Sequence, residues 1–183
     1  MAGSGAVLFY EDFESGFSRW SVSGIGSALL VADGSQVFSI NEMAGDQFIW
    51  FAGSSAWTDQ IIEARVKVLA FNGTSSADVV AICGRLSSPT QFYYFAIQSD
   101  GKAKIKVNNG ANSSLSSAVD VPGGFGLNTW YTLRLSIVGS TLTAYINGTQ
   151  VAQVTDTALT NGAVGLMVQR AAARFDDVYV RAP

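Results

Sequence analysis

The chain of 183 residues contains no histidine, which removes Ser-His triads, Cys-His dyads and His-ligated zinc or iron at once. Its one cysteine, Cys83, excludes an intrachain disulfide. The setting "VVAICGRL" reads as a small buried hydrophobe rather than a reactive thiol, so cysteine usage says nothing about redox compartment. Charged residues are only 14% of the chain and the net charge is -3, which gives no electrostatic footprint for nucleic acid or an anionic membrane. No apolar run approaches the length of a membrane span. No glycine-rich phosphate loop follows a strand and opens a helix, so nucleotide chemistry has no support. The start, "MAGSGAVLFYEDF", has neither the basic nor the apolar region of a signal peptide; a processed secreted protein, or one domain of a longer chain, is expected.

What is present points to strands. Apolar residues make up 48% of the chain, with nineteen glycines against three prolines. Ser, Thr, Asn and Ala are abundant while Lys and Glu are scarce, the composition of an all-β protein with many tight turns. The sparse charge suits an extracellular, secreted protein, and the length suits a single domain over residues 1–183 with a sizeable core.

Strand-like segments bounded by turn residues are expected over 7–13, 28–40 with a break near Gly34, 47–52, 61–71, 77–86, 92–99, 103–107, 130–138, 141–146, 149–155, 162–169 and 174–181. No segment reads as a helix. Asn147-Gly148 in "INGTQ" predicts a two-residue type I′ hairpin, because both central residues need positive φ, and Asp100-Gly101 and Gly139-Ser140 read the same way. Residues 108–128 carry the weakest strand signal and read as a long crossing loop.

Two acidic clusters need a reason. "EDFE" holds Glu11, Asp12 and Glu14, and "RFDDVYV" holds Asp176 and Asp177, although Asp is disfavoured in strands. Calcium takes six to eight oxygen ligands, and carboxylates brought together by paired termini would supply some of them. The alternative is that these carboxylates face water or accept hydrogen bonds from nearby loops. Asp12 and Glu14 share one face of an extended chain, the spacing a glycosidase pair would need, but the run lies near the N-terminus and lacks an E-x-D-x-E pattern.

Sugar binding requires aromatic rings and polar groups on a shared face. In "QFYYFAIQ", Phe92 and Tyr94 point one way and Tyr93 and Phe95 the other, so one tyrosine is expected on an exposed face and its neighbour in the core. Arg85 in "CGRLSS" and Gln169 with Arg170 in "MVQRAAAR" are polar groups at strand ends. Lys102, Lys104 and Lys106 in "GKAKIKV" project from one face. They either attract an acidic polysaccharide or keep an edge strand soluble. Trp20, Trp50, Trp57 and above all Trp130 are expected in the core.

"FYEDFESGFSRW", "TWYTLRLSIVGSTLTAYINGTQVAQVTD" and "GAVGLMVQRAAARFDDVYV" together resemble concanavalin A-like jelly-roll domains. These occur as carbohydrate-binding modules appended to polysaccharide lyases and glycoside hydrolases, and as laminin-G-like domains. The resemblance implies an antiparallel two-sheet sandwich, sugar bound across a concave face or in loops at one edge, and a structural calcium where the termini meet. The expected calcium ligands are Asp12, Glu14 and Asp177, with Glu11 and Asp176 as substitutes. The expected sugar contacts are Arg85, Tyr93 and Gln169, followed by Tyr94, Arg170 and Lys104. The expected function is non-catalytic binding of a polysaccharide or oligosaccharide, acidic ones included, by a monomeric module. The alternatives are a structural or adhesion subunit of a surface or virion assembly, and a polysaccharide lyase or glycosidase, which the missing histidine disfavours.

Overall fold

The computed structural model describes residues 5–183, and these contain no helix. Fourteen strands form one antiparallel, curled, hydrogen-bonded system that folds into two layers. The front layer runs β10 (Val119–Asp120), β8 (Lys102–Asn109), β7 (Gln91–Gln98), β6 (Val79–Ser88), the first half of β14 (Ala163–Arg181), the second half of β4 (Gln36–Ala52) and β2 (Ser21–Ser23). In the back layer β3 (Ser27–Ala32), the first half of β4, the second half of β14, β5 (Gln60–Phe71), β11 (Trp130–Val138), β12 (Thr141–Ile146) and β13 (Thr149–Thr155) follow one another. β1 (Val7–Glu11) pairs with the end of β14, so the two termini lie side by side, and β9 (Asn112–Ser114) pairs with β8.

The two long strands correct the sequence reading. The segments read as separate strands at 162–169 and 174–181 are one strand of 19 residues. Its partner β4 likewise joins two expected strands into one of 17 residues. Each crosses from layer to layer at an irregularity: Arg170 sits at φ 50, and the β14–β4 register shifts between Gln169 and Ala171. A bulge of this kind bends a strand without ending it. The expected loop over 108–128 contains β9 and β10. Of the three expected type I′ turns, only Asn147-Gly148 has positive φ at both positions (49 and 81); Gly101 and Gly139 are each the single left-handed residue of their turn.

The main core lies between the layers, where alternate residues of each strand meet, among them Phe38, Ile62, Phe95, Leu135, Leu166 and Phe175. Trp130 is not among them. It lies on the outer face of β11, half-buried, with the Arg65 guanidinium 4.5 Å and the Lys67 ammonium 4.8 Å from its ring, while its neighbour Tyr131 takes the core position. Strand parity, which puts successive side chains on opposite faces, overrides the preference of a large ring for the interior.

A second cluster covers the face of the front layer that points away from this core: Ile49, Val79, Cys83, Phe92, Tyr94 and Met167 are all buried there. β4 and β8 stand four strands apart, which would separate them by about 19 Å in a flat sheet. Yet the Gln47 side chain on β4 accepts from Asn108 Nδ2 on β8 at 3.5 Å and donates to Pro89 O at 2.8 Å. The front layer is therefore curled far enough for its own side chains to close over its concave face.

Candidate functional site

The expected sugar contacts separate into three places. Tyr94, Gln169 and Lys104 share the concave face, as parity requires. Tyr94 is only 2% exposed, donates its hydroxyl to Asn112 at 3.0 Å and has Lys106 over its ring, so it offers no open stacking surface. Burial and the neighbouring Lys104 hold the Lys106 ammonium below its usual range. The expectation that one of the two tyrosines would be exposed is not met, because the curl buries Tyr94 while Tyr93 faces the main core. Arg170 stands at the far end of β6, where its Nε lies 2.9 Å from the fully buried Asp78 and its backbone N–H donates to Glu42.

Arg85 and Tyr93 meet at the loop edge of the sandwich. Arg85 sits at φ 46 in an irregular stretch of β6, which turns its side chain away from the concave face. The guanidinium is 5% exposed and donates to the carbonyls of Thr58 (2.8 Å), Leu159 (2.9 Å) and Gly139 (2.7 Å) and to Asp59 Oδ1 (3.3 Å). Four of the five N–H groups an arginine carries are so engaged, and the remaining one is on Nη1. Tyr93 donates to Asp156 Oδ1 at 2.5 Å and accepts from the Leu159 N–H at 3.0 Å. Burial, with the bond to Asp156, pushes the Tyr93 hydroxyl up to about 12, so it remains a donor at every physiological pH.

Arg85 lies in the wall of an open concavity of about 300 Å³ lined also by Gly139, Ser140, Asp156, Leu159 and Thr160, with Tyr93 buried behind Asp156. Asp156 is held in place through one oxygen: Tyr93 and the Ala158 N–H both donate to Oδ1, and neither bond uses Oδ2. Asp59 is held in the same way, with Arg85 and the Gly139 N–H on Oδ1. Arg85 thus works as an anchor that shapes three loops. The exposed chemistry comes from Asp156, Ser140 and Thr160, which sequence reasoning missed. The only signal for Asp156 was an Asp two residues before Ala158 at a strand end, the pattern of an Asx turn.

The acidic termini are spoken for by other partners. Glu11, 4% exposed, accepts from the Phe13 N–H and from Arg19 Nε. Asp12 accepts from the Glu14 N–H, and Glu14 from the Gln36 N–H. Asp176, buried, accepts from Ser35 (2.9 Å) and Arg65 (3.1 Å), and Asp177 shares Arg65 at 3.3 Å. Burial raises the pKa of Asp176. β1 ends at Glu11, so the run "EDFE" leaves the strand instead of lying inside it. Among the described residues, no three His, Cys, Asp or Glu side chains converge as metal ligands.

No curated protein matches the sequence. Among solved structures, carbohydrate-binding module CBM66 from Bacillus subtilis superimposes with a TM-score of 0.74 at 18% identity, over 90% of this chain and 96% of that one. The cellulose-induced protein Cip1 follows at TM-score 0.72 and 14% identity, over 96% of this chain and 97% of that one. Domain 4 of AbnA, an extracellular GH43 arabinanase from Geobacillus stearothermophilus in complex with arabinotriose, gives TM-score 0.68 at 11% identity, over 97% of this chain and 93% of that one. At such identities these likenesses show the fold, a jelly-roll β-sandwich. Residues 41–183 match the family model described as galactocerebrosidase, C-terminal lectin domain, and the chain belongs to that family of lectin-like domains.

Proposed function

We infer that the protein is a non-catalytic, extracellular carbohydrate-binding domain whose sugar site is the loop-edge concavity over Arg85. The observation that carries this reading is the fixed Asp156 carboxylate, held through one oxygen and open through the other, in a hollow of sugar-unit size. A carboxylate in that position accepts hydrogen bonds from sugar hydroxyls at no cost in rearrangement. The charge of Arg85 is taken up by three carbonyls and Asp59, and Asp156 adds a negative charge, so the site favours neutral sugars over uronic acids. That revises the acidic-polysaccharide expectation, which rested on the lysine row; Lys104 and Lys106 flank the closed concave face instead.

Asp156→Asn tests the site with little disturbance of the fold, because the amide oxygen still accepts from Tyr93 and Ala158 while an Nδ2 donor takes the place of the Oδ2 acceptor. Affinity for the best neutral glycan in a calorimetric panel is expected to fall at least about tenfold, the range of a lost hydrogen bond to a charged group. Unchanged affinity would remove the concavity as the site. Silence across the whole panel would remove the carbohydrate reading.

Calcium at Asp12, Glu14 and Asp177 enters this reading as a competitor of the bonds just described, since binding it would draw Asp177 from Arg65. Melting of chelator-treated protein with and without millimolar calcium decides it, because an ion that binds only the folded state raises the melting temperature. A rise supports the site, and no response removes it. An assembly role has one observation in its favour, a row on the outer back face that runs Tyr145, Arg134, Glu63, Tyr179, Tyr10 across five strands. Sedimentation over a concentration series tests that role: self-association supports it, and a constant monomer removes self-assembly.

A further inference from the structure

The loop-edge concavity has a neighbour. A second hollow of about 310 Å³ is lined by Phe51, Ser55, Leu86, Ser88, Pro89 and Ala163. The two are adjacent in the chain on both walls: Arg85 lines the first and Leu86 the second, and Thr160 lines the first and Ala163 the second. The chain at residues 160–163 crosses from the first to the second. It lies directly on β6, for a Cβ placed on Gly162 would come within 2.2 Å of the Arg85 carbonyl carbon. The top of the crossing is polar and exposed. Asn161 donates to Ser55 O at 2.7 Å, and its Oδ1 accepts the Thr160 hydroxyl at 2.8 Å.

The two hollows differ in chemistry. The first offers the Asp156 carboxylate and hydroxyls. The second offers the half-buried Phe51 ring, Leu86 and Pro89, with serine hydroxyls at its rim. A pyranose or furanose unit has an apolar C–H face and a polar edge, and an apolar hollow with a few hydroxyls suits a unit already held by its neighbour. We propose that the two hollows are successive subsites for one neutral glycan chain, which crosses over Thr160 and Asn161. This inference rests on the proposed sugar site and adds to it a requirement for chain length.

Ladders of one to four units from gluco-, galacto-, arabino- and fructo-oligosaccharides, titrated by calorimetry, test it. In the ladder that binds, affinity is expected to rise at least tenfold from one unit to three. Phe51→Ala is expected to cancel that rise and bring the trisaccharide down to the level of the monosaccharide. Pro89→Ala serves as a second probe at an exposed position should Phe51→Ala melt early. Equal affinity along the ladder, or a rise that survives both substitutions, overturns the second subsite while leaving the first intact. Failure of every ladder to bind overturns both readings together.

Discussion

Replacing Arg85 by alanine is expected to lower the melting temperature by about 10 °C and to abolish glycan binding. The side chain is almost fully buried and satisfies the carbonyls of Thr58, Leu159 and Gly139, drawn from three separate loops, besides pairing with Asp59. Removing one partner of such a set costs about 3–5 kcal/mol, and in a chain of this size each kcal/mol moves the melting temperature by about 2–4 °C. Water entering the open concavity offsets part of the loss, which places the expectation at the lower end of that range. Arg85→Lys separates charge from geometry: a lysine keeps the charge but lacks the planar fork, so it is expected to recover little of either stability or binding. A melting temperature within two degrees of the wild type in Arg85→Ala would show that these loops hold their shape unaided.

Gly162→Ala is expected to be comparably damaging, for a reason of space. Gly162 has φ 153, a region that side-chain-bearing residues rarely adopt. An added Cβ would meet backbone atoms at 2.2–2.5 Å, namely the carbonyl carbons of Arg85 and Leu86 and the Leu86 nitrogen. None of these is the far end of a flexible side chain. The residue is also tied down on both sides, with its N–H donating to Trp57 O at 2.9 Å and its carbonyl accepting from the fully buried Gln60 at 2.5 Å. Gln60 in turn accepts from the Arg85 N–H, so displacement of Gly162 loosens the wall of the first hollow and the crossing to the second. The expected cost is about 3 kcal/mol or more, from overpacking and backbone strain together. Gly148→Ala is the control. It shares a positive φ but has open space around it, and is expected to cost only about 1–2 kcal/mol, the penalty of the left-handed conformation alone. Equal melting temperatures for the two variants would refute the packing described for the crossing.

The value of parity in reading this chain is clearest in β8. The alternation in "GKAKIKV" places Ala103, Ile105 and Val107 in the core and the lysines opposite, and the structure has that arrangement. The same rule placed Tyr93 and Tyr94 on opposite faces correctly, yet not their exposure. A period of two says which face a residue takes, while the curvature that closes the concave face comes from the sum of strand twists and bulges across many strands. Trp130 shows the opposite failure, where a preference by residue type was followed against the parity of its own strand.

By itself, then, the sequence determined the all-β class, most strand positions and the Asn147-Gly148 hairpin, because each depends on local turn chemistry or on residues a few positions apart; the pairing of the termini came from the jelly-roll resemblance instead. It also identified Arg85 and Tyr93, which the structure brings together at the loop edge. Only the tertiary structure decided where those residues point, that Asp59 and Asp156 stand beside them, that Arg65 neutralises Asp176 and Asp177, and that one face is closed while the loop edge stays open. Those are contacts between residues 26 to 112 positions apart, fixed by sheet curl and by left-handed residues at Arg85, Arg170 and Asp177. No local pattern encodes such features, because each is set by the packing of strands distant in the chain.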